Sequence, residues 1–186
     1  MKNIQKLSQF LKYGLYSWSI INVALPFFIF ANGKVMKNLS FMVGFDKNNH
    51  HNTLPFDVDK YLSFTTGHKF LVALSAMPSE ILYSIALIFA AKLFECYEKG
   101  NYFSVESAKK FGNIGKFFIL SVLVGYPQEL LFSFVATMKE PVGQRMIKIT
   151  ASNHDFSAIM LAIMIIVIGW VMKEASKLKQ DQDLTV

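Results

Sequence analysis

Apolar residues in this chain gather into four long blocks, at about 13–30, 70–92, 117–138 and 156–172, separated by stretches that carry nearly all the charge. A hydrocarbon layer about 30 Å thick takes roughly 20 residues of helix to cross, and the last block lies at the lower limit of that requirement. Backbone facing lipid must satisfy its own hydrogen bonds, so the blocks are expected as helices rather than open strands. The pattern predicts an all-α, polytopic membrane protein: a four-transmembrane-helix bundle forming one integral domain over 1–186. Its connections are a first loop at 31–69, an inner loop at 93–116, and a tail at 173–186. Lys2, Lys6 and Lys12 precede the first block as they would in a secretory leader. The apolar stretch is too long for a leader core, however, and Ile29 breaks the small-x-small pattern before Ala31, so the block is read as a retained helix.

Composition fixes the solvent. Of 186 residues, 53% are hydrophobic and 17% charged, against roughly 25% charged in an average soluble protein. Four crossings consume about 80 residues, which excludes a sizeable soluble catalytic domain. The formal charge of +6 is spread over tails and loops, the ordinary pattern of lysine flanking membrane segments and not a nucleic-acid surface. Residues 1–12, 92–116 and 173–186 hold eleven Lys and Arg over 51 positions, against eight over 56 in 31–69 and 139–155. This bias places both termini in the cytoplasm, with Tyr13, Tyr16, Trp18 and Trp170 as an aromatic belt at the inner surface. Cys96 is the sole cysteine, so no internal disulfide forms.

Two segments inside the second and third blocks echo one another at an offset of 49 residues: Pro78-Ser-Glu80-Ile-Leu-Tyr-Ser84 and Pro127-Gln-Glu129-Leu-Leu-Phe-Ser133. Four residues before each glutamate stands a small residue, Ala76 or Gly125, and four after stands a serine. On a 3.6-residue period these share one helix face. The small residue permits close helix approach, and the serine is placed to hydrogen-bond the carboxyl group. Each proline withholds an N–H, freeing the carbonyl of Leu74 or Leu123 and kinking its helix. Glu80 and Glu129 then lie near the bilayer midplane, where an ionised side chain costs several kcal/mol. Packed antiparallel, the two acids are expected to share one proton, with Asn22 of the first block as a third polar group. The structural alternative is a neutral, mutually hydrogen-bonded pair that only fixes helix packing. Ala158 and Ala162 mark the fourth helix as a packing partner.

Metal chemistry finds little support. Asp46, His50, His51, Asp57, Asp59 and His68 cluster in and beside the first loop, and imidazole with carboxylate suits several ions. The spacing matches no helical ligand motif, so these residues and His154 are read as solvated, with no metal site. No cofactor motif is present either. A serine hydrolase would need a base within a membrane block, and none of the four blocks contains histidine. The chain is therefore expected to be non-enzymatic.

The inner loop is punctuated clearly. Gly100 suits a helix C-terminus, Ser104 an N-cap, and Glu106 the first turn of a new helix. Leu93-Phe94, Tyr97, Gly100, Phe103-Ser104, Glu106 and Ile114-Gly115, with the terminal Asp183-Leu184-Thr185-Val186, resemble a bacterial family of small four-helix inner-membrane proteins known as a domain of unknown function. In that resemblance the long first loop takes no part. It implies four transmembrane helices, a bacterial source and multi-pass residence in the inner membrane. It also implies a place beside a cytoplasmic helix-turn-helix regulator, which many members are encoded next to. The expectation is a membrane regulatory or interaction protein that touches lipid and this partner, without binding nucleic acid itself. Tyr97, Gly100 and Phe103 of the loop and Asp183, Leu184, Thr185 and Val186 of the tail would form the partner surface. The alternative is a small proton-coupled transporter or ion-conducting protein built on Glu80 and Glu129, with Ser84, Ser133 and Asn22 around them.

Overall fold

The computed structural model describes residues 2–32, 61–145, 147, 149, 151 and 153–184. Five helices and no strand are found among the described residues: α1 (Lys2–Ala31), α2 (Thr66–Ser75), α3 (Pro78–Glu98), α4 (Val105–Thr137) and α5 (Asn153–Leu184). Three stretches, Gln5–Phe30, Val105–Thr137 and Asn153–Leu178, are each long and apolar enough to cross a membrane; α2 and α3 add a fourth when taken as one span. The 33 residues of α4 extend about 50 Å, well beyond the hydrocarbon layer, so its ends reach past the acyl chains.

The helices exceed the apolar blocks. The first starts at Lys2 and not near Tyr13, so its basic beginning is helical. The third starts at Val105, right after the expected N-cap Ser104, and merges that new helix with the apolar block; the fourth continues through most of the tail. Hydropathy marks only the lipid-facing part of a helix, whereas capping and backbone hydrogen bonds decide where it stops. The second block is not one helix: it breaks between α2 and α3, and the two halves meet at 49°.

The pairs α1 and α3, α3 and α4, and α4 and α5 run antiparallel. Lys12 meets Glu98 and Ser19 meets Ser84 across α1 and α3, Ser79 meets Gln128 across α3 and α4, and Gly115 meets Ala162 across α4 and α5. The α3–α4 turn thus shares one end of the molecule (the turn end) with the start of α1. The α4–α5 connection shares the other (the loop end) with Ala31 and Tyr61. The extensive contacts follow a row: α1 on α3, α3 on α4, α4 on α5, with α2 leaning on α1 and α4 near the loop end.

Burial runs opposite to that of a soluble core. In the three full spans only 6 to 11% of the most apolar window is buried, which leaves the large side chains to lipid. Phe10, Ile20, Phe28, Met164 and Val171 all project outward. What lies between helices is small: Ser19, Ser84, Ala86, Ala91, Ser107, Ala108, Ser121, Ser133, Ala136 and Ala162. Small residues let helices approach closely where no hydrophobic drive separates protein from solvent. The α4–α5 contact is close at its glycines. A Cβ added at Gly115 would fall 2.4 Å from Ile166 Cγ1 and 2.7 Å from the Ala162 carbonyl oxygen.

Each end has its own fastening. At the loop end Tyr61, Val72 and Ala136 form a buried cluster with Ile29, Phe30, Phe64, Phe132 and Val135 around it. The Tyr61 hydroxyl donates to the Phe30 carbonyl, and burial pushes its ionisation up to about 12. At the turn end, Lys12 Nζ lies 2.7 Å from Glu98 Oε2, and the Tyr16 hydroxyl donates to Glu95 Oε1 at 3.1 Å. These bonds tie α1 to the last two turns of α3.

Candidate functional site

The chain between α2 and α3 determines where the polar groups go. Pro78 cannot donate to the turn before it, and it stands at the first position of α3, where the missing N–H costs nothing. The preceding residues close on themselves: Ala76 N–H donates to the Ala73 carbonyl and Met77 N–H to the Leu74 carbonyl, both at 3.2 Å. The Leu74 carbonyl is thus not left free. The group that needs an outside partner is the Ala76 carbonyl, and Gln128 Nε2 donates to it at 3.0 Å. The same amide accepts from the Ser79 N–H at 2.5 Å through Oε1. One side chain on α4 therefore satisfies both sides of the break, which a carboxamide can do because it holds donor and acceptor together.

Glu80 follows in the first turn of α3, the positive end of its dipole. It lines a crevice of about 340 Å³ together with Asn22, Ser79, Tyr83, Ser121, Val122, Gly125 and Asp155. Asp155 lies in the first turn of α5 and accepts from the Tyr126 hydroxyl at 3.4 Å. Asn22 Nδ2 donates to the Trp18 carbonyl, and Ser121 Oγ to the Phe118 carbonyl. No hydrogen bond or ion pair among the described residues reaches the Glu80 carboxylate. Among the described residues the crevice is bounded by two acids from different helices, an amide, hydroxyls and one aromatic ring, with no Lys or Arg.

The glutamates expected to share a proton are not brought together. Glu129 is half-buried on α4 but does not line the crevice, and Glu80 makes no bond to it. Because α3 and α4 run oppositely, the residue after Ser79 steps toward the turn end while the residue after Gln128 steps toward the loop end. Asp155 takes the place expected for Glu129. The serines also differ from expectation. Ser84 Oγ donates to the Ser19 carbonyl at 3.0 Å and Ser19 Oγ to the Ser84 carbonyl at 3.2 Å, a reciprocal buried pair between α1 and α3. Ser133 Oγ donates to the Leu130 carbonyl of its own helix. Asn22 does join Glu80, as the sequence suggested.

The α3–α4 turn is fixed at both ends. Gly100 takes φ +81°, its N–H donates to the Tyr97 carbonyl, and Asn101 N–H reaches back to the Cys96 carbonyl at 2.9 Å, the bond pattern of a Schellman cap. Ser104 Oγ then accepts from Ser107 N–H, and Ser107 Oγ donates to the Asn101 carbonyl. Tyr97 packs on Tyr102 at 5.5 Å between ring centres. Phe103, in contrast, is 62% exposed on this rigid turn. In the tail, Asp183 and Leu184 end α5, while Thr185 and Val186 lie outside the described residues, as do Asp46, His50, His51, Asp57 and Asp59. His68 is buried against Phe64, their rings 4.4 Å apart.

Gln128 and Asp155 were missed by sequence reasoning. A glutamine beside a proline at membrane depth is itself a signal, because its amide must find partners there. Asp155 gave only a weak one, standing at the edge of an apolar block.

The apolar helices and the polar crevice between them define a multi-pass helical membrane protein. The chain belongs to the family described as "Protein of unknown function (DUF2975)", whose profile matches residues 47–186. The match takes in the later part of the first loop, which the resemblance drawn from the inner loop and tail had left out. No match was found among curated proteins or among solved structures.

Proposed function

We propose that this is a non-enzymatic regulatory protein of the bacterial inner membrane, with the crevice as its input and the α3–α4 turn as its output to a cytoplasmic helix-turn-helix regulator. The observation that carries this reading is that one pair of helices bears both features. Glu80 and Tyr83 line the crevice from α3, and Ser121 and Gly125 line it from α4. The same two helices are joined by the doubly capped turn that presents Phe103. A shift of α3 against α4 at the crevice reaches the turn because the connection is only Lys99–Ser104 and has no slack. The break before Pro78, bent by 49°, is the place where α3 can move without α2. The charge bias favours the turn end as the cytoplasmic one.

The reading is tested by co-purifying the full chain with a helix-turn-helix regulator from gently solubilised membranes. Phe103→Ala should release the regulator, and deletion of 180–186 should weaken it if Asp183 to Val186 contribute. Equal recovery with Phe103→Ala contradicts the reading. A second reading, a proton-coupled transporter or ion-conducting protein, draws on the Glu80 carboxylate having no partner among the described residues. In that case flux into proteoliposomes should fall with Glu80→Gln, and flux indifferent to Glu80 disposes of it.

A further inference from the structure

We infer that the crevice binds a monovalent organic cation with an apolar body, an amine or quaternary ammonium. The inference rests on the crevice being the input site, and names what occupies it. Glu80 lines the crevice from α3 and Asp155 from α5, and among the described residues no hydrogen bond or ion pair reaches the Glu80 carboxylate. A carboxylate with no partner at membrane depth is costly, and a cation seated there offsets that cost directly. Its volume of about 340 Å³ falls within the range of small-molecule sites, roughly 300–1,000 Å³. A dehydrated metal ion needs far less room and more ligands; no group of three or more His, Cys, Asp or Glu is assembled among the described residues.

The rest of the lining suits the body of such a ligand. Tyr83 offers an aromatic ring, whose face attracts ammonium groups, and Val122 adds apolar surface. Asn22 and the hydroxyl groups supply a few polar contacts of the kind that orient a ligand. Gly125 leaves room: a Cβ built there meets nothing within 4 Å, unlike the crowded Gly115 on the same helix. The ammonium can belong to a free amine or to a zwitterionic lipid headgroup, since both present the same charge and the crevice lies among membrane-spanning helices.

The test is equilibrium dialysis of labelled benzyltrimethylammonium against the full-length protein in an uncharged detergent. This probe cannot lose its charge, so binding reports on the protein. Saturable binding is expected, weakened about tenfold or more by Glu80→Gln, a loss of about 1.4 kcal/mol, and less by Asp155→Asn. Gly125→Leu should abolish binding with the melting temperature unchanged, which separates a filled crevice from a misfolded protein. Glu129→Gln should bind as wild type. Competition by phosphatidylethanolamine assigns the ammonium to a lipid, and absence of competition assigns it to a free amine. No saturable binding, or equal binding by wild type, Glu80→Gln and Gly125→Leu, overturns the inference. Displacement of the probe by sodium as readily as by choline also overturns it. If probe binding fails but Phe103→Ala still releases the regulator, the ligand assignment falls while the turn's role stands; the reverse pattern removes the regulatory reading alone.

Discussion

The segments at Pro78 and Pro127 share proline, glutamate and serine at the same spacing, yet the chain treats them oppositely. At Pro78 the helix stops, turns by 49° and restarts; at Pro127 α4 runs on without a break. Proline imposes the same local loss in both places, an absent N–H and a crowded carbonyl four residues back. What differs is the neighbour. The break at Pro78 is served by Gln128, which binds the Ala76 carbonyl and the Ser79 N–H, and Gln128 belongs to the other segment. The two copies are complementary parts: one opens the backbone and the other closes its hydrogen bonds. A local motif sets what a membrane helix can do, and the helix beside it decides whether that happens.

The contrast can be broken most forcefully at Gln128. Gln128→Leu leaves a carbonyl and an N–H without partners in a low-dielectric setting and should destabilise the protein by about 2–4 kcal/mol, read as a fall in the denaturant midpoint in mixed micelles. Gln128→Glu keeps an acceptor and has a donor only while protonated, and should fall between Leu and wild type above the pH at which it ionises. Equal stability of all three would show that the break does not depend on α4.

The prolines themselves give the next largest effects, of opposite sign. Pro127→Ala restores an N–H in the middle of a continuous helix and should stabilise the protein by about 1–3 kcal/mol, read as a higher midpoint. Pro78→Ala gains little at a first helical position, and by allowing α2 and α3 to straighten it withdraws Ala76 and Ser79 from Gln128. A stabilising Pro78→Ala would contradict this asymmetry.

The serines sharpen the comparison at smaller scale. Ser84→Ala removes one half of the reciprocal bond with Ser19 and should cost about 1 kcal/mol. Ser133→Ala, whose hydroxyl bonds within its own helix, should cost less, a difference readable in the same denaturation series. The pair of glutamates is read in binding and not in stability. Glu80→Gln should change binding of the cationic probe, while Glu129→Gln should leave it within error of wild type.

The apolar blocks located the helices well because lipid-facing residues are the ones hydropathy detects. Gly100 and Ser104 announced the turn because each serves a specific backbone need, positive φ and an N-cap, that few residues meet as well. The extension of α1 to Lys2 was hidden, since a helix outside the hydrocarbon carries no hydropathic mark, whereas the start of α4 at Val105 follows from the Ser104 N-cap. The break at Ala76–Met77 was half legible: Pro78 signalled a disturbance, but only Gln128 on another helix accounts for a full stop. Likewise Glu80 stood out by its cost, whereas its companion Asp155 is set by how α5 lies on α4. The echo between the two segments pointed to Glu129 instead, because spacing along one chain carries no information on depth between antiparallel helices.

The central claim, that α3 and α4 carry a signal from the crevice to the turn, is tested most directly by a spin-label distance. Labels at Phe103 and Lys177, in a Cys96→Ala background, report the turn against the end of α5. Benzyltrimethylammonium should shift that distance distribution in the otherwise wild-type chain and leave it unchanged in Glu80→Gln. Identical distributions with and without the probe, under conditions where the probe is bound, would contradict the account.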